Sequence, residues 1–279
     1  MNAGAAPRSL YGIGPYREYL FPLLALGAAA LLPFQWIAYT FIVVGHAHFL
    51  MAYRYQYKAG KMNRGYALVA LILLLGSVIY FILDGSLLPI LLVSGILFAF
   101  HFGLDEFTLH NEALTLRTVM SALGFALLFS ALIAVVAFPG LASLGIVAGI
   151  LVAASITVRV LRSHTPISAG ERYLWIVESV LFVLAVILNL PQQVLGVVLL
   201  LHFANWYMGY AGKVRSHPVR AKEYWYTFAV TLLVPLVLFV LWKFGYLPFL
   251  SVFFGLAFYY AWAIAHIILS FMTMKPVRT

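Results

Sequence analysis

Ten apolar runs follow one another along this chain with little between them, and that succession limits what it can fold into. They cover residues 19–32, 35–52, 66–83, 87–103, 118–138, 141–160, 173–190, 192–210, 224–242 and 247–272. About 20 residues of helix cross the hydrocarbon layer of a bilayer, and backbone polar groups in that layer must be satisfied internally. The chain therefore reads as an all-α, polytopic membrane helix bundle of about ten transmembrane helices. The first run is the shortest for the task. Hydrophobic residues make up 65% of the chain and charged ones only 9%, against about 25% charged in soluble domains. That balance excludes a water-soluble enzyme and a coiled coil, and it leaves residues 1–279 as a single transmembrane domain. The chain has no cysteine, which removes disulfides, thiolate metal sites and iron–sulfur clusters.

The breaks between runs are of two alternating kinds. Tight ones carry Pro or Gly and almost no charge, as at Pro33, Gly85, Pro139, Pro191 and Gly245. Longer ones are basic: Arg54 to Arg64, Arg117, Arg159 to Arg172, Lys213 to Lys222, and the tail with Lys275 and Arg278. Of the 17 Lys and Arg residues, only Lys243 falls on the side of the tight breaks. The positive-inside rule then places both termini and the basic loops in the cytoplasm. The net charge of +9 is accounted for by topology and anionic lipid headgroups, so no nucleic-acid partner is expected. Tyr55, Trp206, Tyr207, Tyr210 and Tyr224 cluster at the same face and read as an interfacial aromatic belt.

The polar residues inside the spans carry the chemistry. All eight histidines fall toward the cytoplasmic side. His110, His164 and His217 are in loops, whereas His46, His48, His101, His202 and His266 are in spans. Each of these five lies in the inner half of a helix running from outside to inside. Four helices thus bring an imidazole to one depth, within about two turns of each other. A single intramembrane histidine is commonly a hydrogen-bonding residue between helices. A layer of them with acids at the same depth points to a metal site instead.

The chain holds only eight carboxylates. Asp105 follows His101 by one helical turn, so both point to the same face. Glu178 sits in the seventh span at a similar depth, where an ionisable group is a functional-site candidate. Both are candidate catalytic acids or bases. Asn205 and Ser270, one turn beyond His202 and His266, are candidates for hydrogen bonds that orient the ligands. Neutral imidazoles with nearby carboxylates form the ligand set of a first-row metal. His46 and His48 point about 200° apart on a helix, so one faces the metal and the other a second metal, a relay or a neighbouring helix. The His-Phe pair that recurs at His101 and His202 favours His48.

The leading expectation is an enzyme: a non-haem metal centre, iron by preference, performing oxidative chemistry on an apolar small molecule dissolved in membrane lipid. Zinc is an alternative, with Glu178 or Asp105 as general base to a metal-bound water. Intramembrane histidines on several helices, together with the stretch His101-Phe102-Gly103-Leu104-Asp105, resemble the bacterial membrane β-carotene oxygenases related to the Brp and Blh proteins. The resemblance implies iron-dependent cleavage of a carotenoid to retinal, with histidines as ligands. The expected location is the cytoplasmic membrane of a bacterium. Two other readings remain: a haem b or pigment-binding subunit of an electron-transfer complex, and a transporter.

Overall fold

The computed structural model describes residues 16–138 and 167–273, with isolated positions between 140 and 154. The expected span over 141–160, the loop histidine His164 and the basic tail with Lys275 and Arg278 lie outside the described residues. Those described form α-helices, two short irregular helical turns and no strand. The helices are α1 (Tyr16–Leu31), α2 (Phe34–Lys58), α3 (Arg64–Asp84), α4 (Leu88–Leu109), α5 (Leu116–Ala137), α6 (Ala169–Phe182), α7 (Pro191–Val214), α8 (Pro218–Lys243) and α9 (Leu256–Thr273). Seven of them, all but α1 and α6, are long and apolar enough to cross a membrane. Helix α1 has 16 residues and carries Pro22 inside it. Helix α6 has 14 residues and runs on into a π-helical turn, Val183–Ile187.

Local chemistry sets several of these boundaries. The Asn63 side chain accepts from the Tyr66 amide at 2.9 Å to open α3, and Ser168 accepts from the Glu171 amide at 3.2 Å to open α6. Thr115 and Thr118 cap α5 reciprocally. These bonds satisfy amides that a helix start leaves unpaired. Proline, which has no amide to satisfy, occupies the first position of α7 and α8. Gly85 ends α3 with φ of 70°, a conformation that suits residues without a Cβ.

The histidine-bearing helices run past their apolar stretches. The runs ending at 52, 103 and 210 continue as helix to Lys58, Leu109 and Val214. Hydrophobicity stops at the first charge, but helical hydrogen bonding does not. The last run behaves differently. It opens with a 3₁₀ turn, Pro248–Ser251, and α9 begins only at Leu256.

The helices form two layers. The inner layer is a closed ring in which α2 contacts α7, α7 contacts α4, α4 contacts α9, and α9 contacts α2. Around it, α3 lies on α9, α5 on α4, α8 on α2, and α1 and α6 on α7. No residue of α3 is buried, whereas α2 and α7 bury most of their middle turns. Lipid is as apolar as these side chains, so close packing and polar contacts hold such layers together. Gly103 is one such contact: a Cβ there would lie 2.8 Å from the Ala122 Cα on α5.

Ionic contacts tie the ends. Arg54 (3.3 Å) and Lys58 on α2 both reach Glu223 on α8. Arg117 binds Glu171 through Nε at 2.9 Å and Nη2 at 2.8 Å, joining the starts of α5 and α6. At the opposite end of the bundle, Lys243 donates to the Tyr39 hydroxyl at 2.5 Å and lies 4.3 Å from the Trp242 ring centre.

Overpacking at the α4–α5 contact tests this arrangement. Gly103→Val is expected to destabilise the protein by about 1–3 kcal/mol, read as a lower thermal unfolding midpoint in detergent. Gly124→Ala meets nothing within 4 Å and should leave the midpoint unchanged or slightly raised.

Candidate metal centre

The four inner helices run in the same direction. Their C-terminal turns surround one cavity, with Tyr55, Thr108, Lys213 and Thr273 among its walls. The N-terminal halves of α4, α7 and α9, with Phe129 of α5, surround a small apolar void lined by Leu91, Phe98, Leu195 and Tyr260. Between these two spaces each inner helix presents one histidine: His48 from α2, His101 from α4, His202 from α7 and His266 from α9. All four are at most 3% exposed, in a region where a side chain can reach only protein.

The four rings form a closed square. Ring centres are 5.2 Å apart for His48 and His202, 5.3 Å for His202 and His101, 5.8 Å for His101 and His266, and 5.0 Å for His266 and His48. Neighbouring planes are steeply inclined, by 62° to 78°. The square follows the cyclic order of the helices that carry it. Aromatic rings brace it from outside, with Trp206 4.6 Å from His48, Phe49 4.7 Å from His266, and Phe98 5.3 Å from His202.

The buried nitrogens of the square have no hydrogen-bond partners. Both nitrogens of His48, His101 and His266, and Nδ1 of His202, are in this condition. A single buried polar group left unpaired costs about 1–3 kcal/mol, so a concentration of them at one point marks a candidate ligand site. The void they enclose measures about 10 Å³, roughly the space of one small probe sphere. On burial and donor type the imidazoles suit a first-row cation. On donor-atom spacing, among the described residues, the group that qualifies is His101 and His202 with a carboxylate, and His48 and His266 stand in the ring of imidazoles outside that group.

A carboxylate completes the set. Asp105 Oδ2 lies 3.4 Å from His101 Nε2, as the one-turn spacing predicts. One donor atom each from His101, Asp105 and His202 fall within 4.8 Å of one another. Asp105 also lines the large cavity, a funnel of about 750 Å³ whose floor includes His101, His266 and Ser270. Ser270 thus stands one turn from His266, facing the funnel.

The other expected site residues lie elsewhere. His46 is fully buried, but its ring sits among Phe253 at 4.3 Å, Trp262 at 5.0 Å and Phe254 at 5.7 Å. Its Nδ1 donates to the Ile42 carbonyl at 2.6 Å. The two-residue offset from His48 turns it to the other face of α2. Glu178 is buried on α6, yet it lines neither the void nor the funnel. Its helix belongs to the outer layer, which residue depth alone does not reveal. Asn205 donates at 2.9 Å to Glu106, a fully buried carboxylate, and so links α7 to α4 through Glu106 and not through a histidine.

Sequence reasoning gave Tyr55, Trp206 and Tyr210 to the aromatic belt, but they line the funnel. Their signal was available in the helical spacing that carries each helix one to three turns beyond its histidine.

The two histidines of α2 differ in setting: His46 donates to a carbonyl of its own helix, and His48 stands in the ring of imidazoles. His48→Phe is expected to lose bound metal, whereas His46→Phe retains it, as read by elemental analysis of purified protein. No family model, curated protein or solved structure matches this chain.

Proposed function

We propose that this protein is an integral membrane enzyme that holds a non-haem metal, iron by preference, between His48, His101, His202 and His266, and oxidises a membrane-dissolved substrate. The carrying observation is the ring of four buried imidazoles, most of whose nitrogens have no hydrogen-bond partner, with the donor atoms of His101, Asp105 and His202 within 4.8 Å of one another beside a large funnel. Two histidines and a carboxylate with open positions are the ligand pattern of iron centres that activate oxygen, and His101, His202 and Asp105 supply it. Iron bound there would supply activation of dioxygen for cleavage of a carbon–carbon double bond, a reaction that places both oxygen atoms in the two carbonyl products.

The chain's own residues do the rest. His48 and His266 close the square and fix the rings against rotation. Phe98, Leu199 and Ile267 line the void and keep it dry. Asp105 faces the funnel, where it can accept a hydrogen bond from an incoming group. The space between the rings suits an ion better than a haem, which would hold two imidazoles on opposite sides of a broad macrocycle. Beyond the funnel the space at the histidines is a void of only about 10 Å³, which suits a reaction centre better than a transport path. The resemblance to the Brp and Blh oxygenases agrees with oxidative chemistry on a carotenoid, isoprenoid or other lipid.

Topology belongs to the same reading. The charge asymmetry, with Lys243 alone opposite all other Lys and Arg, supports a cytoplasmic position for both termini and for the funnel mouth, in a bacterial inner membrane.

Two measurements test these statements. Anaerobically purified protein is expected to carry one iron per chain and to consume dioxygen with a carotenoid or membrane lipid extract. Alanine at His48, His101, His202 or His266 should lower bound iron by about 10-fold or more, and full retention in all four variants would sink the assignment. A membrane-impermeant maleimide should label Arg215→Cys only from the cytoplasmic side and Tyr246→Cys only from the opposite side.

A further inference from the structure

The funnel is chemically two-sided, and that narrows the substrate. Its volume of about 750 Å³ falls in the usual range of roughly 300–1,000 Å³ for small-molecule sites. One wall is a run of aromatic rings leading up from the histidines. Trp206 packs 4.6 Å from His48, Tyr210 lies 4.5 Å from Trp206, and Tyr55 stacks on Tyr210 at 6.5 Å with planes 19° apart. Such a wall suits a hydrocarbon chain and is wasted on a small hydrophilic anion.

Four charged side chains also line the funnel: Asp105, Glu112, Lys61 and Lys213. The two acids have partners. Asp105 is beside His101 at the floor, and Glu112 accepts from the Gly170 amide at 2.9 Å, in the first turn of α6. The two lysines are placed differently. Lys213 donates to the Thr108 carbonyl and Lys61 to the Thr273 carbonyl, each at 3.3 Å, at the C-terminal ends of α4 and α9. Among the described residues neither has a carboxylate within 4.0 Å. A lysine has three donors and a full charge. Lys213 also lies 5.3 Å from the Tyr210 ring centre and within electrostatic reach of Asp105, yet neither ammonium is neutralised by a carboxylate in direct contact. Along α7, Lys213 stands about 16 Å beyond His202 at 1.5 Å per residue.

We infer that the funnel receives an anionic amphiphile, a long-chain carboxylate, whose acidic head lies between Lys61 and Lys213 and whose chain follows Tyr55, Trp206 and Tyr210 down to the histidines. This rests on the oxidative reading of the metal centre and names its substrate class. The lysines anchor the head at the interfacial end, and the length of the funnel sets which carbon of the chain meets the centre.

Photolabelling tests the inference. A diazirine-bearing C18 fatty acid is added to the full-length protein in phosphatidylcholine nanodiscs, and cross-links are mapped by mass spectrometry. Labelling is expected on Tyr55, Trp206 and Tyr210, competed by oleate but not by oleyl alcohol, acetate or inorganic phosphate. The double variant Lys61→Met/Lys213→Met should lower it about 10-fold, the equivalent of one lost charged hydrogen bond. Lys61→Arg/Lys213→Arg should restore most of it, which shows that charge and not folding was lost. Equal labelling in the methionine variant, or equal competition by oleyl alcohol, overturns the acidic head. Equal competition by acetate or phosphate overturns the chain. Iron content is measured in the same samples. Lysine-independent labelling with iron intact defeats only this inference, and lysine-dependent labelling of protein that binds no iron defeats only the metal reading.

Discussion

Imidazole nitrogens buried without partners are the constraint around which the bundle is organised. In a low-dielectric interior an unpaired polar nitrogen is expensive, and nearby ones do not relieve one another when their planes are steeply inclined. The rings of His48, His101, His202 and His266 meet at 62° to 78°, an arrangement suited to lone pairs converging on a point and unsuited to stacking or chained hydrogen bonds. A cation held by His101, His202 and Asp105 would relieve one nitrogen on each of those two rings. Phe49, Phe98 and Trp206, which wedge the rings from outside, then hold a preorganised set.

That requirement shapes the topology. Four parallel helices can deliver one residue each to a common depth only if every one is joined to the next by a helix running back. In the structure α3 and α8, in the outer layer, carry the chain back from α2 to α4 and from α7 to α9, and α6 leads into α7. Parallel alignment also gathers four helix C-termini at one end, concentrating carbonyl groups and the negative ends of the helix dipoles there. Lys58, Lys61 and Lys213 lie at that end, which matches the partial charge. Glu106 and Asn205 lock α4 to α7 with a buried bond of 2.9 Å, fixing the relative height of His101 and His202 on those same two helices.

Much of this was legible in the sequence because membranes reduce the available choices. Apolar runs located the helices, and helical periodicity joined His101 to Asp105 and separated His46 from His48. The aromatic nest around His46, however, is built by Phe253 and Phe254 from the irregular stretch before α9, where the apolar pattern read as continuous helix. Glu178 shows a different limit: depth along a helix is readable, but which layer the helix occupies depends on tertiary contacts. The funnel was hidden for a third reason. Tyr55, Trp206 and Tyr210 have the composition of an interfacial belt, and only the tertiary packing of α2 against α7, with α2 continuing beyond its apolar run to Tyr55, turns those rings inward onto a common cavity.

The square is not symmetric with respect to its surroundings, and the asymmetry bears on the chemistry. His101 and His266 line both the small void and the funnel, whereas His48 and His202 line only the void. Asp105 and Ser270 stand on the funnel side, and Phe98, Leu199 and Ala263 on the other. An ion in the square would therefore have a dry, fully protein-lined side and a single side open to exchange. Electrostatic interactions gain strength where water is excluded, and reactive groups survive there only if access is restricted. On the proposed reading both the oxidant and the lipid chain approach from the funnel. The lipid then enters at the membrane interface, head outermost, and not sideways from the bilayer centre. A substrate path of that kind accounts for lysines at the rim and Asp105 at the floor, while Glu112, the other acid of the lining, is engaged by the Gly170 amide.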